Sequence, residues 1–182
     1  ASSVYAADMD GDGDMDILSA STGDNSIRLY RNRDGKASSF TDDDVITVYS
    51  NAKGARSVYA ADMDGDGDMD ILSASQGDHS IRLYRNRDGK ASSFTDDDVT
   101  TVYSNANGPR SVYAADMDGD GDMDILSASW GDHSIRLYRN RDGKASSFTD
   151  DDVTTVYSNA YGATSVYAAD MDGDGDMDIL SA

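Results

Sequence analysis

A nine-residue segment, Asp-Met-Asp-Gly-Asp-Gly-Asp-Met-Asp, occurs four times in this chain, starting at Asp8, Asp62, Asp116 and Asp170. Each copy starts 54 residues after the previous one, and nearly all residues between the copies repeat as well. A repeat of this length restricts the fold to architectures in which similar units pack side by side. We therefore interpret residues 1–182 as a single repeat array, with units 3–56, 57–110 and 111–164 and a partial unit 165–182.

Each unit contains four short segments rich in β-branched and aromatic residues and separated by turn residues. In the second unit they span residues 57–61, 71–75, 80–85 and 99–104, which we name strands A, B, C and D. No segment shows helical periodicity. Four antiparallel strands in a repeat of about 40 to 55 residues are typical of a β-propeller blade, so we predict an all-β propeller. A parallel β-helix is the alternative repeat architecture.

The predicted strands amount to three and a half four-stranded blades, because the partial unit contributes only A and B. Closed propellers have roughly four to eight blades. A single chain of this length would therefore leave sheet edges and apolar blade faces exposed. We expect a homo-oligomer, with a dimer favoured, to close the ring, or the chain to be a fragment of a seven-bladed propeller.

The acidic residues are concentrated in the repeated segments. The formal net charge is -20, all 35 acidic residues are aspartate, and 20 of them lie in the four segments. The other 15 balance the 15 Lys and Arg residues. This distribution indicates bound cations and argues against nucleic acid as a partner. No apolar run is long enough to predict membrane insertion, and the chain carries no signal-peptide pattern.

The Asp segment offers the oxygen ligands that calcium prefers. Positions 1, 3, 5 and 9 supply carboxylates, position 7 supplies a backbone carbonyl, and the glycine at position 6 permits a sharp bend. A helix-loop-helix calcium site would need glutamate at position 12, which is Ser19 in the first copy. An acidic turn without metal is the alternative, but mutual repulsion of five carboxylates opposes it. The predicted Ca²⁺ ligands are Asp8, Asp10, Asp12, Asp14, Asp16, Asp62, Asp64, Asp66, Asp68, Asp70, Asp116, Asp118, Asp120, Asp122, Asp124, Asp170, Asp172, Asp174, Asp176 and Asp178.

A second acidic run, at residues 42–44, 96–98 and 150–152, precedes strand D in each full unit. It lacks the alternation and the glycines of the Asp segment. We predict a solvated turn there, with a weak metal site as the alternative.

A few positions in the B–C and D–A connections differ between the copies. In an up-and-down blade these connections lie on the face opposite the A–B connection, and therefore away from the predicted calcium. One position holds Thr, Gln and Trp in successive copies, which is incompatible with a tightly packed core and predicts exposure. Drift in tolerant loops is the alternative to a ligand surface. The candidate ligand-binding residues are Trp130, His133, Tyr161, Gln76, His79 and Asn107.

The segment Ser-Val-Tyr-Ala-Ala-Asp-Met-Asp-Gly-Asp-Gly-Asp-Met-Asp-Ile-Leu-Ser-Ala-Ser resembles the FG-GAP and VCBS repeats, the blades of integrin α-subunit heads and of many secreted proteins. The resemblance covers the whole chain. It implies a seven-bladed propeller with calcium in the A–B hairpins, and a role in extracellular adhesion or glycan binding. The copies are more alike than is usual for these repeats, so an engineered or recently amplified array is a further interpretation.

These observations favour a non-enzymatic, calcium-binding module for extracellular adhesion or for binding a glycan or peptide, with calcium in a structural role and a secreted or extracellular location. One alternative is a repeat scaffold with no specific ligand. A carbohydrate-active enzyme domain is the least favoured, because the loop aspartates are assigned to metal and no nucleophile accompanies His79 or His133.

Overall fold

In the computed structural model, which describes all 182 residues, each full repeat forms one four-stranded antiparallel sheet in the order A-B-C-D. Blade 1 contains β1 to β4, blade 2 contains β5 to β8, blade 3 contains β9 to β12, and half-blade 4 contains β13 and β14. The strands are β1 Ser3–Ala7, β2 Asp16–Ser21, β3 Ser26–Tyr30, β4 Val45–Tyr49, β5 Ala55–Ala61, β6 Asp70–Ser75, β7 Ser80–Tyr84, β8 Val99–Tyr103, β9 Pro109–Ala115, β10 Asp124–Ser129, β11 Ser134–Tyr138, β12 Val153–Tyr157, β13 Val166–Ala169 and β14 Asp178–Ser181.

This architecture confirms the predicted all-β fold with three and a half blades, and the ring is not closed. The predicted strand limits are close to those observed, and the main difference is at strand A. In blade 2 that strand begins at Ala55 rather than at residue 57, because a β-bulge between Ala55 and Ser57 extends its pairing with strand B. No helical segment is long and apolar enough to cross a membrane.

The hydrophobic core lies between blades rather than within them. We call the side of a blade that faces the preceding blade its leading face, and the opposite side its trailing face. Leu18 and Leu29 on the trailing face of blade 1 form one cluster with Val58, Ile71 and Tyr84 on the leading face of blade 2. Equivalent residues form the clusters between blades 2 and 3 and between blade 3 and half-blade 4. Each blade is thus stabilised mainly by its neighbours.

Strand C is also enclosed on both faces. Its polar and apolar residues alternate, as in a strand with one solvated face, yet Tyr84 is fully buried and its hydroxyl lies 3.0 Å from Oγ of Ser73. Its neighbour Arg82 is placed over the ring of Tyr49 from the preceding blade, at 5.3 Å from the ring centroid. The alternation therefore separates a leading from a trailing face, not a buried from a solvated one.

The innermost strands carry a row of tyrosines. Successive ring centroids of Tyr5, Tyr59, Tyr113 and Tyr167 are 4.6, 4.7 and 4.6 Å apart, and the rings are tilted against each other. Tilted aromatic pairs at this distance contribute beyond their buried area. The row therefore adds a regular contact between consecutive blades at their inner edge.

The second acidic run forms a short 3₁₀ helix, at Asp42–Asp44, Asp96–Asp98 and Asp150–Asp152. The prediction of a solvated turn is wrong for its third residue, which is buried in blade 1 and half-buried in blades 2 and 3. In blade 1 the Asp44 carboxylate accepts hydrogen bonds from the backbone nitrogen and the hydroxyl of Thr41, at 2.7 and 2.8 Å, and pairs with Arg33. These hydrogen bonds, chiefly the backbone one, lower the pKa of Asp44. The third aspartate thus caps the helix that leads into strand D.

Candidate functional sites

Each Asp segment forms the tight connection between strands A and B, and we call the four connections Asp loops 1 to 4 (residues 8–16, 62–70, 116–124 and 170–178). In Asp loop 1 the two carboxylate oxygens of Asp8 accept hydrogen bonds from the backbone nitrogens of Gly11 and Gly13, both at 2.9 Å. Gly13 has a φ of 92°, which only glycine adopts without strain. The chain therefore wraps around the first carboxylate, and the predicted role of the position-6 glycine agrees with this geometry.

The last aspartate of each loop lies at the start of strand B, and in loops 1 to 3 it is buried. In blade 2, one oxygen of Asp70 accepts a hydrogen bond from the nitrogen of Met63 and the other from the nitrogen of Asn86, at 3.2 and 2.8 Å. Burial raises the pKa of Asp70 to about 7, although these two hydrogen bonds oppose the shift. In blade 3, burial raises the pKa of Asp124 to about 6. The fold thus holds a carboxylate where its charge is costly without a nearby cation.

All four loops gather three carboxylates whose oxygens lie within 4.8 Å of one another. Positions 1 and 3 take part every time, joined by position 9 in loops 1 and 4 and by position 5 in loops 2 and 3. The position-7 carboxylates lie outside these groups. In loop 1 the carboxylate of Asp14 is turned toward Gly35 of the C–D connection. This does not conflict with the prediction, which assigned the backbone carbonyl of position 7 to the metal. The gathered sets are Asp8, Asp10 and Asp16; Asp62, Asp64 and Asp66; Asp116, Asp118 and Asp120; and Asp170, Asp172 and Asp178.

The donor set fits a hard cation such as Ca²⁺, because it consists only of oxygen atoms. Oδ1 of Asp10 and Oδ1 of Asp64 are buried and have no hydrogen-bond partner. Burial, reinforced by the neighbouring carboxylates of Asp12 and Asp66, raises the pKa of both groups. Buried oxygens without a partner are costly, and a cation would satisfy them. The residues present therefore fit calcium, although the identity of the ligands stays a prediction.

The variable positions lie at the opposite end of the strands, where the D–A connection of one blade packs against the B–C connection of the next. The nitrogens of Gln76 and Gly77 donate hydrogen bonds to the carbonyl oxygens of Gly54 and Lys53, at 3.1 and 2.8 Å. Trp130 and Gly131 make the same bonds to the next D–A connection. Side chains that vary between copies are therefore brought together at each blade junction.

Trp130, His133 and Tyr161 form one patch at the junction of blade 3 and half-blade 4. The rings of His133 and Tyr161 have centroids 4.8 Å apart, and a methyl group added to Gly162 would lie 3.6 Å from Nε1 of Trp130. Trp130 is 45% and Tyr161 82% exposed. We call Trp130, His133 and Tyr161 the aromatic patch.

The remaining candidates, Gln76, His79 and Asn107, occupy the equivalent positions one junction earlier. Oε1 of Gln76 accepts a hydrogen bond of 2.8 Å from Nε of Arg56, and Nδ1 of His79 accepts one of 3.3 Å from the nitrogen of Gly108. Asn107 is exposed and its backbone carbonyl accepts from Gly131. The structure thus separates the six candidates into two groups of three.

The histidines have a structural role that sequence reasoning missed. Asn25, His79 and His133 have φ values of 57°, 57° and 55°, and each accepts a hydrogen bond from the nitrogen of a glycine in the following D–A connection. Asn and His are among the non-glycine residues enriched in this conformation. The sequence did carry a signal for this role: the position holds Asn in one copy and His in the others, and both side chains can accept a hydrogen bond from a backbone nitrogen.

Arg110 was also missed. Its guanidinium carbon lies 4.9 Å from the centroid of the Trp130 ring, and its Nε is buried without a hydrogen-bond partner. The equivalent Arg56 is bonded to Gln76, an acceptor that Trp130 replaces. The pairing of Arg with Gln in one copy and with Trp in the next could have indicated this contact.

Two solved structures share the fold. A lectin from Agrocybe aegerita, described as specifically recognising non-reducing terminal N-acetylglucosamine, aligns with a TM-score of 0.63 and 23% identity over 98% of this chain and 46% of the lectin. The V. cholerae biofilm matrix protein Bap1 aligns with a TM-score of 0.54 and 22% identity over 98% of this chain and 27% of Bap1. The chain thus spans less than half of either protein.

A comparison with functionally characterised proteins finds no match in sequence. The sequence model of the FG-GAP-like repeat matches three segments, residues 8–73, 63–127 and 126–181. Together these segments span nearly the whole chain, and each includes at least one complete or partial Asp loop. The chain belongs to the FG-GAP-like repeat family.

Proposed function

We propose that this chain is a non-enzymatic binding module in which calcium holds the blades in shape and the aromatic patch contacts an extracellular glycan. A protein or peptide ligand is the second candidate. The observation that carries the proposal is the convergence of Trp130, His133 and Tyr161 on one exposed patch, at the end of the strands opposite the Asp loops. Two fold relatives described as a lectin and a biofilm matrix protein support a binding role.

The patch has the properties of a contact surface. Exposed Trp and Tyr rings offer large, rigid apolar faces together with a polar group, and such residues are enriched where proteins bind ligands. The guanidinium of Arg110 lies over the Trp130 ring, so this side chain brings a positive charge and N–H donors next to the ring. A sugar combines an apolar ring face with hydroxyl acceptors and matches both features.

A binding measurement with matched variants tests the proposal. The double variant Trp130→Ala, Tyr161→Ala should lose at least about tenfold in affinity for glycans retained on an array by the unmodified protein, consistent with the cost of truncating buried aromatic contacts. The variant Gln76→Ala, Asn107→Ala changes the equivalent positions one junction earlier and should bind normally. Equal loss in both variants, or none in the first, contradicts the proposal. Retention of peptides but not glycans would favour the second candidate.

The calcium part rests on the oxygen-only donor sets and on the unpartnered oxygens of Asp10 and Asp64. The proposed ligands are those predicted from the sequence, with position 7 contributing its carbonyl. Calcium would neutralise carboxylates that the fold holds close together. Calcium is present at millimolar concentration outside cells, where binding modules of modest affinity are occupied. A need for calcium therefore supports the proposed extracellular location.

A further inference from the structure

The methionine at position 2 of each Asp loop is buried to different extents in identical sequences. Met9 and Met63 are each 1% exposed, Met117 is partly buried, and Met171 is 62% exposed. Loops 1 and 2 are followed by a complete blade, loop 3 by half-blade 4, and loop 4 by no blade in the structure. The burial of this side chain therefore depends on the following blade rather than on the loop itself.

A hydrogen bond from the following blade also reaches this residue. Nδ2 of Asn86 in blade 2 donates to the carbonyl oxygen of Met9, and Nδ2 of Asn140 in blade 3 donates to that of Met63, both at 2.9 Å. The nitrogen of Met9 in turn donates to Oδ2 of Asp16, at 3.1 Å. The peptide groups of Met9 thus link the next blade to the carboxylate that ends the loop.

The carboxylate at position 3 differs in the same order. In loops 1 and 2, Oδ1 of Asp10 and of Asp64 is buried without a hydrogen-bond partner. In loop 4, Oδ1 of Asp172 accepts a hydrogen bond of 3.2 Å from the nitrogen of Asp174, and all three gathered carboxylates are exposed. The position-3 carboxylate therefore has a buried oxygen in loops 1 and 2, where a cation would satisfy it, and is open to water in loop 4.

Building on the calcium sites proposed above, we propose that the following blade completes each site, with Asn86 and Asn140 as positioning residues for loops 1 and 2. Loops 1 and 2 then bind calcium more tightly than loop 4. Because coupling between sites is reciprocal, calcium in a loop strengthens the docking of the blade that follows it. Calcium would act at the junctions between blades and not only within the A–B hairpin.

The eight methionines provide a probe of each loop, since all of them occupy positions 2 or 8 of an Asp loop. Methyl-labelled methionine followed by NMR during a calcium titration would report every loop separately. The titration uses the Val4→Asp variant, because a charge on the exposed face of blade 1 keeps a second chain from packing after loop 4. The signals of Met9 and Met63 should respond at calcium concentrations at least about tenfold lower than that of Met171, the scale on which supporting residues tune metal affinity. One common midpoint for all loops, or tightest binding at loop 4, overturns the inference while leaving calcium binding intact. No response in any loop overturns calcium binding itself.

A reciprocal pair of variants tests the positioning role. Asn86→Ala should weaken calcium binding at loop 1, in the preceding blade, and Asn140→Ala should weaken it at loop 2, each by about tenfold. A merely structural role of the Asn86 side chain, whose Oδ1 accepts a hydrogen bond from the backbone nitrogen of Ala91 in the same blade, would instead disturb loop 2 of its own blade. The calcium midpoints of the Met9 and Met63 signals distinguish the two roles: in Asn86→Ala a positioning role raises the midpoint of Met9, and a structural role raises that of Met63. If either variant unfolds, the order of affinities with both asparagines in place still decides the inference.

Discussion

Nη1 of Arg85 donates a hydrogen bond of 2.7 Å to Oγ1 of Thr100, and this contact accounts for one of the few differences between the repeats. Arg139 and Thr154 repeat it at 2.8 Å in blade 3. Blade 1 has Ile46 in place of the threonine, and Nε of Arg31 is buried there without a partner. Arg85 also donates to the carbonyl oxygen of Ala145 in blade 3, so the threonine helps to orient a side chain that crosses the blade junction.

Replacing Thr100 with valine should destabilise the protein. The substitution keeps the shape of the side chain but removes the acceptor of a charged donor, which corresponds to about 1 to 2 kcal/mol in the free energy of unfolding. Thr101 is the matched control because it is the adjacent, exposed residue of the same strand, and Thr101→Val should change stability by less than about 0.5 kcal/mol. Urea denaturation measures both. Equal effects would show that Thr100 contributes nothing specific.

The close contact between B–C and D–A connections predicts opposite effects of one substitution at two equivalent positions. A methyl group added to Gly77 would lie 2.9 Å from the carbonyl oxygen of Lys53, whereas one added to Gly23 meets no atom within 4 Å. Neither glycine has a positive φ. Gly77→Ala should therefore cost about 1 to 3 kcal/mol through overpacking, and Gly23→Ala should be neutral or stabilise by up to about 1 kcal/mol.

Thermal melting of the two variants tests this contact. The melting temperature of Gly77→Ala should fall by several degrees, and that of Gly23→Ala should stay within about 3 °C of the unmodified protein or rise. A similar decrease in both would mean that the glycine is needed for the loop conformation itself and not for the junction.

Removal of calcium should lower the melting temperature. When calcium is present at about 100 times its dissociation constant, each occupied site adds about 2.7 kcal/mol to the free energy of unfolding. For a chain of this size one such site corresponds to about 5 to 10 °C. Calorimetry in excess chelator and after calcium is restored measures the difference. Replacement of chelated calcium by magnesium should recover little, because Mg²⁺ demands a rigid octahedron; an unchanged melt would refute metal binding.

The fold could be predicted because the repeat carries several signals that agree. Four β-rich segments with turn residues between them indicated the blade, and the alternating aspartates indicated the loop that gathers Asp8 and Asp10. Contacts between blades could not be predicted in detail, since strand patterning does not reveal which face meets which neighbour. The alternation of polar and apolar residues in strand C, for example, gives no sign that Tyr84 is fully buried. The bond from Asn86 to Met9 spans 77 residues and leaves no local pattern in the sequence.

The end faces of the array predict association between chains. On the leading face of blade 1, Val4 is 66% exposed, whereas the equivalent Val58 and Val112 are 3% and 4% exposed beneath a preceding blade. On the trailing face of half-blade 4, Leu180 is 36% exposed, whereas the equivalent Leu126 is fully buried beneath a following blade. The two junctions inside the chain show that such faces fit each other, so two chains can pack head to tail through both ends, as a closed two-fold ring requires.

Light scattering coupled to size exclusion would then give a mass of about twice 19.4 kDa. Val4→Asp places a charge in the predicted contact and should shift the protein toward the monomer, because burying an unpaired carboxylate is costly. Tyr161→Asp adds the same charge at an exposed position of the aromatic patch, away from the end faces, and should leave the dimer mass unchanged. A monomeric unmodified chain in calcium would contradict the prediction, and dissociation by both variants would point to charge repulsion rather than to the face of Val4.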